Sequence, residues 1–210
     1  MMIRKSLYTI IALAVLVTAT GRLLSCTSAE SKPTDNKEPH AVASAIDEKE
    51  SKVSRGRYLV NLAGCHDCHS PKIFTSTATL FDSSKLLSGY PAGGEIPPVD
   101  EKAFGPNYWM LFSRDLTAYV GFWGTSFAIN ITPDSATGIG AWREIDFIKA
   151  MKTGKHLGQE GGRPILPPMP WVKFSKLTEE DLSAIWAYLR TIPPYHNRVP
   201  APIPPPAKKK

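Results

Sequence analysis

The sequence predicts an all-α fold. Three observations carry that expectation. Apolar residues recur at helical spacing ahead of residue 64, over residues 143–153 and after Thr178. No run of β-branched apolar residues precedes the first pair of cysteines. The pair itself, Cys65-His66-Asp67-Cys68-His69, has a spacing that a single helical turn satisfies.

In chain order, Ser54 is placed to cap a helix whose residues Leu59, Leu62 and Ala63 share a face, and this helix runs straight into the cysteine motif. A second helix is predicted over residues 143–153, with Ile145, Ile148 and Met151 apolar and Gly154 as its terminator. A third begins at Thr178-Glu179-Glu180-Asp181, where acidic residues suit the first turn, continues through Leu182, Ile185, Trp186 and Leu189, and stops at Pro193-Pro194. Residues 72–123 interrupt this pattern. Their first half is turn-rich around Leu86-Leu87-Ser88-Gly89-Tyr90-Pro91-Ala92-Gly93-Gly94, and their second carries Phe104, Tyr108, Trp109, Phe112, Tyr119, Phe122 and Trp123. This aromatic-rich insertion is expected to cover a core rather than to form a partner surface, and it has room for a short β-hairpin.

The ends of the chain divide it further. Arg4 and Lys5 precede an apolar run over residues 7–19, shorter than the ~20 residues of a membrane span, so residues 1–25 are expected to be a signal peptide. Leu23-Leu24-Ser25-Cys26 resembles a lipoprotein cleavage box, with Cys26 as the acylated residue and lipid anchor; ordinary cleavage leaving a free thiol is the alternative. Residues 26–52, poor in large apolar side chains, are expected to be a flexible tether. Residues 53–198 form one domain, and the proline-rich basic tail 199–210, ending Lys208-Lys209-Lys210, is expected to lie outside it.

The motif Cys65-His66-Asp67-Cys68-His69 is the attachment signature of a c-type haem: two thiols bond the porphyrin edge and His69 becomes the proximal iron ligand. A zinc half-site, a thioredoxin-like pair and a structural disulfide are weaker readings. The only other cysteine is Cys26, and no strand pattern leads into Cys65. Downstream of the motif the sixth ligand has three methionine candidates. Met151 has core spacing and Met110 sits among aromatics, whereas Met169 is flanked by Pro167, Pro168 and Pro170, which fix the local backbone. His156 and His196 are the rivals. The His69 ring is expected to be oriented by a carbonyl near Pro71.

Four stretches together resemble a class I mono-haem bacterial cytochrome c, from the family of small exported cytochromes c and of dehydrogenase cytochrome-subunit haem domains. They are Arg55-Gly56-Arg57-Tyr58-Leu59-Val60; Gly64 with the cysteine motif; Asn130-Ile131-Thr132-Pro133-Asp134 with Thr137-Gly138-Ile139-Gly140 and Trp142; and Pro167-Pro168-Met169-Pro170 through Leu177-Thr178-Glu179-Glu180-Asp181-Leu182 to Tyr188-Leu189. The resemblance covers about residues 53–70 and 124–198. It implies N- and C-terminal helices around one covalent haem c, Met169 as distal iron ligand, and Asn130, Trp142, Arg163 and Trp171 as donors to the haem propionates.

With both axial positions filled by protein, the expected role is outer-sphere electron transfer and not catalysis. No nucleophile elbow, phosphate loop or H-E-x-x-H helix competes. The first expectation is a lipid-anchored one-electron carrier facing the periplasm of a bacterial cell envelope, between a dehydrogenase donor and a cytochrome or oxidase acceptor, with no nucleic-acid partner. A dedicated cytochrome c subunit of a membrane-associated dehydrogenase is the alternative, and a haem-based small-ligand binder or sensor is the second.

Overall fold

The computed structural model describes residues 38–207, with side chains from residue 46 onward. The signal segment, Cys26, the first part of the tether and the terminal lysines lie outside the described residues. No described helix is long and apolar enough to cross a membrane.

Helix α1 spans Glu38–Leu62 and α5 spans Glu179–Leu189; they pack against each other as the central pair of the fold. Their contact is made by Gly56, whose position leaves no room for a side chain: a Cβ there would lie 1.9 Å from the Ala184 carbonyl oxygen. Leu59 and Val60 of α1 are buried with Leu182, Ile185, Trp186 and Leu189 of α5, so each helix contributes one apolar stripe. Leu62, expected on that face, is exposed, and Val60 takes its place. Arg55 donates through two nitrogens to Asp181 at 2.9 and 3.1 Å on the rim of the pair. The Thr178 hydroxyl caps α5 by accepting from the Asp181 N–H at 3.1 Å. Helix α3, Glu144–Thr153, adds Phe147 and Ile148 to the same core and is closed by Gly154. Two shorter helices are α2, Cys65–His69, and α4, Trp171–Phe174.

The all-α expectation is corrected by the insertion. Among the described residues, five short strands stand beside the helices. Strands β1, Lys72–Phe74, and β2, Thr79–Phe81, form an antiparallel hairpin, and β3, Leu111–Phe112, β4, Ala118–Gly121, and β5, Gly124–Phe127, form a three-stranded antiparallel sheet in that order. Aromatic and β-branched residues such as Tyr119, Val120, Thr125 and Phe127 suit a pleated surface, and the Phe122-Trp123 connection between Gly121 and Gly124 turns the chain back on itself. The sheet extends past residue 123, so the insertion supplies more than one hairpin.

Two boundaries also differ from expectation. The first helix starts at Glu38, well ahead of Ser54, so the second half of the expected tether is helical. Residues 40–55 contain no proline or glycine and are rich in Ala, Glu and Lys, which favour helix without needing a core. At the other end, Ile203 exchanges both backbone hydrogen bonds with Thr125 at 2.8 and 2.9 Å, and Val199 packs against the Tyr90, Ala118 and Phe127 cluster. An extended proline-rich segment suits the free edge of β5, and the tail is part of the fold as far as this bridge.

Candidate haem site

Helix α1 ends at Leu62, and Gly64 turns the chain through the left-handed region (φ 70°) so that α2 begins at once. Both Cys65 and Cys68 are free thiols. Burial pushes the Cys65 thiol up to about 11. Cys68 Sγ hydrogen-bonds with the Tyr119 hydroxyl of β4 at 2.8 Å. Burial, then this contact, raises the Tyr119 pKa above the ordinary tyrosine value. His66 faces away: its Nδ1 lies 2.9 Å from Ser70 Oγ, and its ring packs on Phe81 at 5.7 Å.

His69 is buried, with 8% of its surface exposed. Its Nδ1 donates to the Ile129 carbonyl at 2.8 Å, and Nε2 has no protein partner among the described residues. Burial lowers its pKa, which favours the neutral imidazole that ligates metals. The oriented carbonyl is therefore Ile129 and not one beside Pro71, whose own carbonyl accepts from the Asp82 N–H at 2.9 Å. A backbone acceptor sixty positions away leaves no trace in the local sequence.

Cys65, Cys68 and His69 line a cavity of about 540 Å³, within the size range of cofactor sites. Its walls are mostly apolar: Ile131 and Ile139, Phe147 and Met151 of α3, Phe127 of β5, and Ile165, Leu166, Pro167, Pro168 and Met169. Among the three methionine candidates, Met151 and Met169 reach the cavity and Met110 does not; Met151 also packs against the central core. The Met169 loop is tied to the sheet by Ser126, whose hydroxyl donates to the Pro167 carbonyl at 2.6 Å and accepts from Trp123 Nε1 at 3.1 Å. The Pro167-Pro168 bond is cis. His156 also lines the cavity, edge-on to Trp142 at 5.3 Å, whereas His196 is outside it, 3.6 Å from Asp134.

Of the four propionate donors implied by resemblance, Trp142 and Arg163 line the cavity. Asn130 does not: it is 2% exposed, and its side chain is engaged by Thr132, Thr137 and the Tyr195 carbonyl. Trp171 does not either, because its ring covers Gly154 at the end of α3. The aromatic insertion divides: Tyr119 is buried and lines the cavity with Leu116 and the largely exposed Phe112, while Trp109 and Phe122 are exposed and do not line it. Pro200 and Pro202 of the tail complete the rim.

No family model matches the chain. It is 29% identical over 136 residues, 65% of its length, to the gluconate 2-dehydrogenase cytochrome c subunit of Pantoea cypripedii, and 30% identical over 141 residues, 67% of its length, to the fructose dehydrogenase cytochrome subunit of Gluconobacter japonicus. Over 146 residues, 70% of its length, it is 27% identical to the cytochrome c subunit of the quinone-type alcohol dehydrogenase of Gluconobacter oxydans. These relatives support a cytochrome c family. The chain spans 22% of each of the three subunits, about a fifth of their length. Cytochrome c subunits imply haem c, and the relatives are consistent with a non-catalytic electron-transfer subunit. They back a dedicated cytochrome subunit better than the free carrier that the sequence put first.

Proposed function

We propose that the protein is the electron-transfer subunit of a dehydrogenase complex and holds one haem c. The observation that carries this reading is the cavity wall. Two free thiols, an imidazole whose Nε2 has no partner among the described residues and a thioether open on one largely apolar space, which is the donor chemistry a covalent haem requires. Cys65 and Cys68 would carry the thioether bonds, His69 the proximal position and Met169 the distal one. When bound, the haem supplies a one-electron couple at iron.

The chain's own contribution is orientation, burial and exclusion of water. Ile129 directs the His69 ring by accepting from Nδ1, which raises the basicity of Nε2. The apolar walls keep the site dry, and Trp142 and Arg163 offer donors on the cavity wall for carboxylates. The Tyr119 hydroxyl reaches both the Cys68 sulfur and the Leu116 carbonyl, at 2.8 and 2.5 Å, and so holds Cys68 against β4. Anchoring through Cys26 on the periplasmic side of a bacterial membrane would keep the subunit beside its dehydrogenase.

The test is expression with the bacterial haem-attachment machinery. A haem band that survives denaturing electrophoresis and disappears in the Cys65→Ala, Cys68→Ala double variant is expected, as is stoichiometric co-purification with a dehydrogenase subunit. Haem that stays bound in the double variant contradicts the attachment site, and isolation as a lone carrier contradicts the subunit assignment.

A further inference from the structure

Two buried amides, Asn130 and Asn197, grip the backbone on both sides of His69. Asn197 is 5% exposed; its Nδ2 donates to the Ser88 and Tyr90 carbonyls at 2.7 and 2.8 Å, and its Oδ1 accepts from the Ala92 N–H at 2.7 Å. Those contacts bracket Gly89, whose N–H donates to the His69 carbonyl at 2.7 Å. Gly89 takes a left-handed conformation (φ 77°), and a Cβ there would lie 2.6 Å from both the carbon and the oxygen of the Ile129 carbonyl, the group that accepts from His69 Nδ1. Thus the segment that holds the histidine backbone is pressed against the one that holds its ring.

Asn130 secures the second segment. Its Oδ1 accepts from the Thr132 N–H and hydroxyl at 2.9 and 2.7 Å, and its Nδ2 donates to the Tyr195 carbonyl at 2.8 Å and to Thr137 Oγ1 at 3.2 Å. The Thr137 hydroxyl in turn accepts from the Asn197 N–H at 3.0 Å, so the two amides belong to one network. Every polar atom of both side chains is engaged, and both residues are buried, so a lost partner leaves an unsatisfied polar group.

We propose that Asn130 and Asn197 are positioning residues for the proximal histidine: by fixing the Ile129 carbonyl they set the strength of its hydrogen bond to His69 Nδ1, and through it the redox equilibrium of the iron. The proposal rests on the haem reading above. A firm bond makes the imidazole a stronger donor and favours ferric iron; a loosened carbonyl shifts the balance toward ferrous.

The experiment compares Asn197→Ala, Asn130→Ser and the milder Asn197→Ser with Leu182→Ala, which removes a core side chain that takes no part in the hydrogen-bond network and does not line the cavity. Each purified holoprotein is checked for covalent haem, titrated for reduction potential, and unfolded in urea. The amide variants are expected to raise the potential by as much as a tenfold change in the redox equilibrium, about 59 mV for one electron, and to shift the His69 ring N–H resonance. Leu182→Ala is expected to lose stability with the potential unchanged. Amide variants that lose stability along with Leu182→Ala while keeping the parent potential and resonance overturn the proposal. Absence of covalent haem in the parent protein overturns the haem reading instead.

Discussion

The two walls of the cavity are held in different ways. On the His69 side, buried side-chain amides bond backbone carbonyls at Ser88, Tyr90 and Tyr195, and the Ile129 carbonyl beside them accepts from the His69 ring. On the Met169 side, the chain is stiffened locally by Pro167, Pro168 and Pro170, and one hydroxyl, that of Ser126, ties it to the sheet. The proximal wall is therefore specified by the whole fold, whereas the distal wall is specified mostly by its own covalent structure. That difference teaches where each can be altered: the Met169 side by local substitution, the His69 side only by disturbing long-range contacts.

Gly56→Ala should have the largest effect, since it drives a methyl group into the Ala184 carbonyl and forces α1 from α5. Overpacking of this kind costs about 3 kcal/mol or more. Because α1 leads to His69 and α5 leads to Asn197, urea unfolding should show a large loss together with disturbance of the proximal wall; an unchanged midpoint would break the comparison at its root.

Met169→Ala should leave the fold and the covalent haem intact while opening the distal position, so that the reduced protein binds carbon monoxide when the parent does not. If Met151→Ala does this and Met169→Ala does not, the two methionines on the wall exchange roles. Ser126→Ala is the finer version. Its two hydrogen bonds, to the Pro167 carbonyl and from Trp123 Nε1, are worth about 1 kcal/mol each, and the loop their loss releases should admit carbon monoxide more slowly than the full removal of Met169. Equal effects from Ser126→Ala and an exposed control such as Ser51→Ala would show that the prolines suffice.

The smallest effect concerns α3, which contributes Phe147 and Met151 to the cavity. Arg143 donates to Asp146 at 2.7 and 2.9 Å and holds its carboxyl down from 3.8 to about 2. A depressed carboxylate stabilises the fold above its unfolded pKa and loses that contribution as pH falls from about 3.8 through about 2. Asp146→Asn should remove this part of the acid dependence from a helicity titration; an unaltered curve would assign the acid transition elsewhere.

Most of the helical framework, with the short helix that carries Cys65, Cys68 and His69, was legible in the sequence because each part follows a local rule. Leu182, Ile185, Trp186 and Leu189 repeat at helical spacing and are all buried, and the reach of Cys65, Cys68 and His69 follows from one turn of helix. The sheets were not. Strands of two to four residues give too short a period to read, and the aromatics that build them suit a helical core equally well. Asn130 was visible as a residue of the central loop, but a side chain that holds backbone and one that faces a cofactor look alike in sequence. Ser126, Ile129 and Asn197 act by hydrogen bonds to or from backbone groups far along the chain, and composition carries no record of such partners.

The Asn197 clasp also sets an order of assembly. Its bonds to Ser88 and Tyr90 close over separations of 109 and 107 residues, so this part of the proximal wall forms only after almost the whole chain has been synthesised. The two cysteines and His69 emerge long before that. On the haem reading proposed above, covalent attachment and axial tuning would be separable in time, since the groups that would bond the prosthetic group precede the clasp that would set its electronic character.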